Sequence, residues 1–166
     1  MRSSRVFFLL LLLAVVAAAW WWSSQQKQGI VGDTVTVYYT KTDGTTEVPW
    51  TISMGAARDL KSVVFYAATQ AVAGPAANID AIRFPTGTHV RGVNVEGTIA
   101  DVDLSGQVKS ASGGSLGESG EFKSLVWTLT KIPGIDGVRV LVDGMRLDAL
   151  PGGHLELDRP LKRSDW

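Results

Sequence analysis

The sequence predicts an α+β fold: a mixed β-sheet packed by two helices, preceded by one N-terminal transmembrane helix. Three observations carry this. Between Thr34 and Val142 the apolar period switches from two to 3.6 and back, twice, in the order β-β-α-β-β-α-β. Eighteen glycines, several in Asp-Gly or Gly-Gly pairs, supply the tight turns such an order needs. The run VFFLLLLLAVVAAAWWW, Val6 to Trp22, holds no charge and follows Arg2 and Arg5.

That run comes first along the chain. As a helix it spans about 25 Å, just short of a ~30 Å hydrocarbon core. Its basic flank and its tryptophans at the far end place residues 1–5 inside the cell and everything after Ser23 outside. A cleaved signal peptide, with Ala17-Ala18-Ala19 as its site, would secrete the protein. Against this, cleavage leaves Trp20, Trp21 and Trp22 as a bulky new terminus, and the run exceeds an ordinary signal core. An uncleaved signal anchor at residues 6–22 in the bacterial cytoplasmic membrane is the preferred reading. No cysteine is present to be acylated, bridged or used as a thiolate. A polar linker fills residues 23–30, a domain residues 31–161, and a short tail residues 162–166.

Within the domain, Val35, Val37 and Tyr39 alternate, as do Thr46, Val48, Trp50 and Ile52 after the turn at Asp43-Gly44. Pro49 offers no backbone donor, so the second strand should lie at an edge or be irregular. From Ala56 to Val72 the residues Leu60, Val63, Val64, Ala67, Ala68 and Ala71 form a helical stripe that Gly74-Pro75 ends. Thr88–Val95 and Thr98–Leu104 pair around Glu96-Gly97, with Ala100, Val102 and Leu104 facing away from Ile99, Asp101 and Asp103. Ser105–Gly117 is glycine- and serine-rich, and Gly114–Gly117 within it reads as flexible linker. A second helix runs from about Glu118, with Phe122, Leu125, Val126 and Leu129 inward, and stops at Pro133-Gly134. Val138, Val140 and Val142, with apolar Leu141 on the other face, make a central strand. Asp143-Gly144 then turns into Met145–Leu147.

Phe84-Pro85-Thr86-Gly87-Thr88, Val93–Gly97, Ala100–Ser105, Gly113-Gly114-Ser115, Thr128-Leu129-Thr130 and Val138–Gly144 form an ordered series. That series resembles the GerMN domain family of bacterial envelope proteins. The opening strands and the alanine-rich helix match in order. The resemblance implies a compact domain like the ring-building motifs of secretion and spore-assembly complexes. It also implies binding or assembly at the membrane or peptidoglycan rather than catalysis, either in sporulation or germination or equally as a tethered, peptidoglycan-associated module of a non-sporulating bacterium, and leaves room for a homo-oligomer. A helical anchor on a single domain departs from the family's lipid-anchored tandem member.

Chemistry-bearing motifs are few. Sixteen basic and sixteen acidic residues balance, without a Lys/Arg run in the domain, so nucleic acid is not a partner. Gly114–Gly117 matches the GxxG of a KH loop but has no flanking cation to hold phosphate. Asp101, Asp103 and Ser105-Gly106 give half a calcium-loop spacing, and Ser112 stands where the bidentate acid belongs. These two aspartates are acidic candidates only. His89 and His154 show no serine–histidine–carboxylate order, and G-x-S-x-G is absent. No catalytic, metal or cofactor residues are assigned.

Aromatics are the better candidates. Trp127 lies between Lys123 and Lys131 on the helical wheel, off the apolar stripe. It either anchors a partner or packs against the Ser105–Gly117 loop or the chain tail. Phe65 and Tyr66 pose the same question on the first helix. The leading expectation is a non-catalytic envelope-binding module whose partners are proteins or peptidoglycan. A cell-wall hydrolase and a ligand-sensing module are the alternatives.

Overall fold

The computed structural model describes residues 15–16, 33–55, 59–110, 114–151 and 153–166. The anchor at 6–22 therefore lies outside the described residues, apart from Val15 and Val16. Among the described residues no helix is long and apolar enough to cross a membrane.

Strands β1 (Thr34–Thr40) and β2 (Glu47–Ser53) form an antiparallel ribbon that registers Tyr38 with Pro49. Their turn is tied by the Asp43 carboxylate, which accepts the N–H groups of Thr45 and Thr46 at 2.7 and 2.8 Å. Helix α1 (Leu60–Ala73) is N-capped by Asp59, which accepts from Ser62 N–H. It buries Val63, Val64, Ala67, Ala68, Ala71 and Val72, most of the expected stripe.

Four strands make the second sheet: β3 (Val90–Glu96), β4 (Ile99–Leu104), β5 (Gly137–Val142) and β6 (Met145–Arg146), in that spatial order. β4 and β5 run parallel; the other neighbours are antiparallel. Ala100, Val102 and Leu104 are buried, while Ile99, Asp101 and Asp103 face the less covered side, as the alternation requires. β5 lies between β4 and β6, and Val138 also bridges Leu161.

Two expectations are corrected. The single mixed sheet is instead two sheets, because β1 turns its free edge to a helix rather than a strand. Helix α2 (Gly114–Leu129) offers the hydroxyls of Thr128 and Ser124 to the N–H groups of Tyr38 and Thr40, each at 2.9 Å. These bonds replace the ladder a third strand would have made. Gly114–Gly117, expected as flexible linker, is helical instead. A 3-10 turn occupies Gly106–Lys109, and α2 starts at Gly114, four residues before the expected Glu118. Its glycines look like helix breakers, yet Gly120 serves close packing: a Cβ there would lie 2.3 Å from Ile82 Cδ1.

α2 is enclosed on most of its circumference. Besides Phe122, Leu125, Val126 and Leu129 it buries Glu118, Glu121, Lys123, Ser124 and Thr128. Residues 162–166 pack on it as well: Arg163 donates to Thr130 Oγ1 and the Trp127 carbonyl, and Trp166 Nε1 donates to Ser119 Oγ.

Candidate functional site

Helical spacing sets Lys61, Phe65 and Thr69 in a ridge along α1, four residues apart and outside the buried stripe. Phe65 is 42% exposed, one of few large apolar side chains left open to solvent. Tyr66 stands beside it, half-buried, with its hydroxyl aimed at the Ser53 carbonyl at the end of β2 (3.4 Å). Opposite the ridge run Gly92 and Val93 of β3, an outer strand of the four-stranded sheet. Together these side chains and strand backbone line an open groove of about 500 Å³. Its lining is largely apolar, and Lys61 is its charged member. Such a surface suits an apolar or extended partner and brings no nucleophile–base pair together.

Trp127 lies elsewhere. It is half-buried, edge-on to Tyr38 at 5.8 Å between centroids, and covered by the Arg163 guanidinium at 4.8 Å. Lys123 Nζ lies 5.7 Å from the same ring, and Trp127 Nε1 is buried without a hydrogen-bond partner. The tail thus packs over this tryptophan, away from the α1–β3 groove.

Asp101 and Asp103 are engaged in ion pairs on the sheet face. Asp101 Oδ1 meets Arg139 at 2.8 Å; Asp103 Oδ2 meets Arg91 at 3.2 Å, and its Oδ1 accepts Gly144 N–H. His89 Nδ1 lies 3.0 Å from the Gly87 carbonyl, and the His154 backbone N–H donates to Glu118 Oε2. Among the described residues no group of three or more His, Asp or Glu side chains is placed to hold a metal.

The structure therefore joins Phe65 and Tyr66 in one site and leaves Trp127 and the aspartates outside it. Sequence reasoning missed Lys61, Thr69, Gly92 and Val93. The first two stand at i−4 and i+4 from Phe65, a spacing that could have found them; the strand residues needed the tertiary pairing.

Two sheets, two helices and the β3-β4-β5-β6 order define a small mixed α+β domain. The chain belongs to the Germane family, described as sporulation and spore germination, whose model matches residues 36–148; the GerMN resemblance read from the sequence is borne out. The tandem GerMN domains of the sporulation protein GerM from Bacillus subtilis superimpose with a TM-score of 0.64 at 23% identity. That match covers 80% of this chain and 47% of the other, so this chain spans about half of the tandem protein. The first GerMN domain of the same protein gives 0.62 at 24% identity, over 80% of this chain and 98% of that one. A candidate lipoprotein from Clostridium perfringens gives 0.58 at 21%, over 82% and 95%. At these identities the likeness is one of fold. No curated protein matches the chain.

Proposed function

We propose that this protein is a membrane-anchored, extracytoplasmic GerMN-type module that binds or assembles envelope partners and catalyses no reaction. The observation that carries the reading is the α1–β3 groove, where Phe65 stays 42% exposed beside an outer strand of the sheet. An exposed aromatic over an apolar groove is the usual form of an interface anchor. The apolar run at Val6–Trp22 supports the tether and outward orientation, and the lipoprotein description of one fold relative fits an envelope location. The family description supports a place in sporulation or germination, and a ring-building type of assembly agrees with a small module of this fold. Engagement of Asp101 and Asp103 by Arg139 and Arg91 supports binding over wall hydrolysis.

The test is photo-cross-linking in living cells with the full chain carrying a benzophenone amino acid at Phe65 and, as control, at exposed Lys131. Adducts with envelope protein or wall fragments from position 65 alone are expected. Equal or absent adducts at the two positions would sink the groove as contact face. Zymographic clearing that disappears on Asp101→Ala would replace binding with hydrolysis.

A further inference from the structure

The free strand edges of this fold are closed in different ways, with one exception. β1 is capped by the Thr128 and Ser124 hydroxyls. Because Tyr38 directs its N–H to α2, its partner Pro49 directs its own nitrogen outward, so β2's outer edge lacks that donor. β6 is two residues long. β3 alone, among the described strands, is long, free of proline and without a hydrogen-bonded neighbour on its outer side among the described residues. Gly97 and Thr98 make a two-residue turn, and residues flanking such a turn exchange the first hydrogen bonds of the ladder. Glu96 and Asn94 therefore direct their backbone groups to β4. Val93 and Val95 direct theirs outward, beside the groove.

We infer that the occupant of this edge is a second copy of the chain, its β3 antiparallel to this one about a two-fold axis at Asn94. The inference rests on the groove being the contact face. Charge makes the strand self-complementary. Arg91, bulged out of register beside Gly92 and facing Asp103 and Asp143 of its own chain, sits at one end with its side chain 42% exposed; Glu96, 74% exposed and only 3.8 Å from Arg139, sits at the other, so both charges keep an open side toward a second copy. Antiparallel pairing sets Gly92 opposite Glu96 of the second copy, which brings Arg91 next to that carboxylate, and symmetry repeats the pair. Val93 of each copy then exchanges backbone bonds with Val95 of the other, and these valines enter the groove beside Phe65. An isologous contact of this kind closes on itself as a dimer.

The chain has no cysteine, so Asn94→Cys places a single thiol on each copy. Directly opposed, non-hydrogen-bonded strand residues have Cα atoms about 4.5 Å apart, within disulfide range. Mild oxidation of the full chain in its membrane should give a covalent dimer from Asn94→Cys and none from Thr51→Cys on β2. Glu96→Lys in that background should weaken cross-linking about tenfold through two like-charge contacts, and the neutral Glu96→Gln should weaken it less. An unchanged circular-dichroism spectrum of the Glu96→Lys variant separates lost pairing from lost folding. Asn94→Cys giving no more dimer than Thr51→Cys, or linking to a different protein, would overturn the inference. If Phe65 still yields envelope adducts in that event, the binding reading survives without the dimer; if it does not, both fall.

Discussion

Replacing Lys123 by methionine tests whether the seam between the ribbon and α2 is electrostatic. Lys123 Nζ lies 3.3 Å from Glu47 Oε1, with the two side chains only 9% and 6% exposed. Lys123 also donates to the Thr45 carbonyl at 3.2 Å, and Glu47 Oε1 accepts from Thr40 Oγ1 at 2.8 Å. The other carboxylate oxygen, Glu47 Oε2, is buried with no hydrogen-bond partner and so depends on the nearby cation. At that separation and an effective dielectric near 20 the attraction is about 5 kcal/mol. Removing one member leaves a buried charge unpaired, which costs about 3–5 kcal/mol. For a domain of this size, with a urea m-value near 2 kcal/mol/M, the midpoint should fall by about 2 M. The measurement is a urea titration by circular dichroism on residues 31–166, a span that keeps the packed C-terminus. Lys123→Met with Glu47→Leu removes both charges and should recover most of the loss, because Thr40 Oγ1 retains the Gly120 carbonyl and Ser124. A single-variant shift below about 0.5 M would refute the reasoning, since it would mean water screens the pair.

Gly120→Ala sets a helix-propensity gain of about 1 kcal/mol against overpacking of about 1–3 kcal/mol, because Ile82 Cβ and Cγ2 also lie within 3.2 Å of the added methyl. Thermal unfolding should show net loss, relieved by Ile82→Val. Arg163→Met removes the cover of Trp127 and two hydrogen bonds, for a loss of about 1–3 kcal/mol in the same urea assay. Thr46 N–H and hydroxyl, then Thr45 N–H, hold the Asp43 carboxyl well below the usual carboxylate range. A depressed folded-state pKa stabilises above the unfolded value and is lost as pH falls. The stability gap between the protein and Asp43→Asn should therefore be full at neutral pH and shrink steadily below about pH 4.

Periodicity made much of this fold legible. Val35, Val37 and Tyr39, the α1 stripe, and Ala100, Val102 and Leu104 all face the core as their spacing requires. Gly74-Pro75 ends α1 where expected. The number of sheets was not legible, because hydrophobic alternation says which face of a strand is buried and nothing about its neighbour along the hydrogen bonds. Half of the groove was visible as well: Phe65 and Tyr66 stood out as aromatics off the stripe. Its strand half was not, since Gly92 and Val93 acquire meaning only once β3 is known to be an outer strand.

The polar residues of α2 explain both of the larger departures. Lys123, Ser124 and Thr128 would read as a solvated helix face, which is why Trp127 between two lysines looked free to meet a partner. They are buried because they do the work of a strand, supplying acceptors to β1 and a cation to Glu47. A helix that serves as the neighbour of β1 must be wrapped on several sides, so Trp127 is drawn under Arg163 and the chain tail. The same substitution closes β1 against further strand addition. That leaves β3, among the described strands, as the long outer strand free of proline, beside the ridge of α1 that carries exposed Phe65.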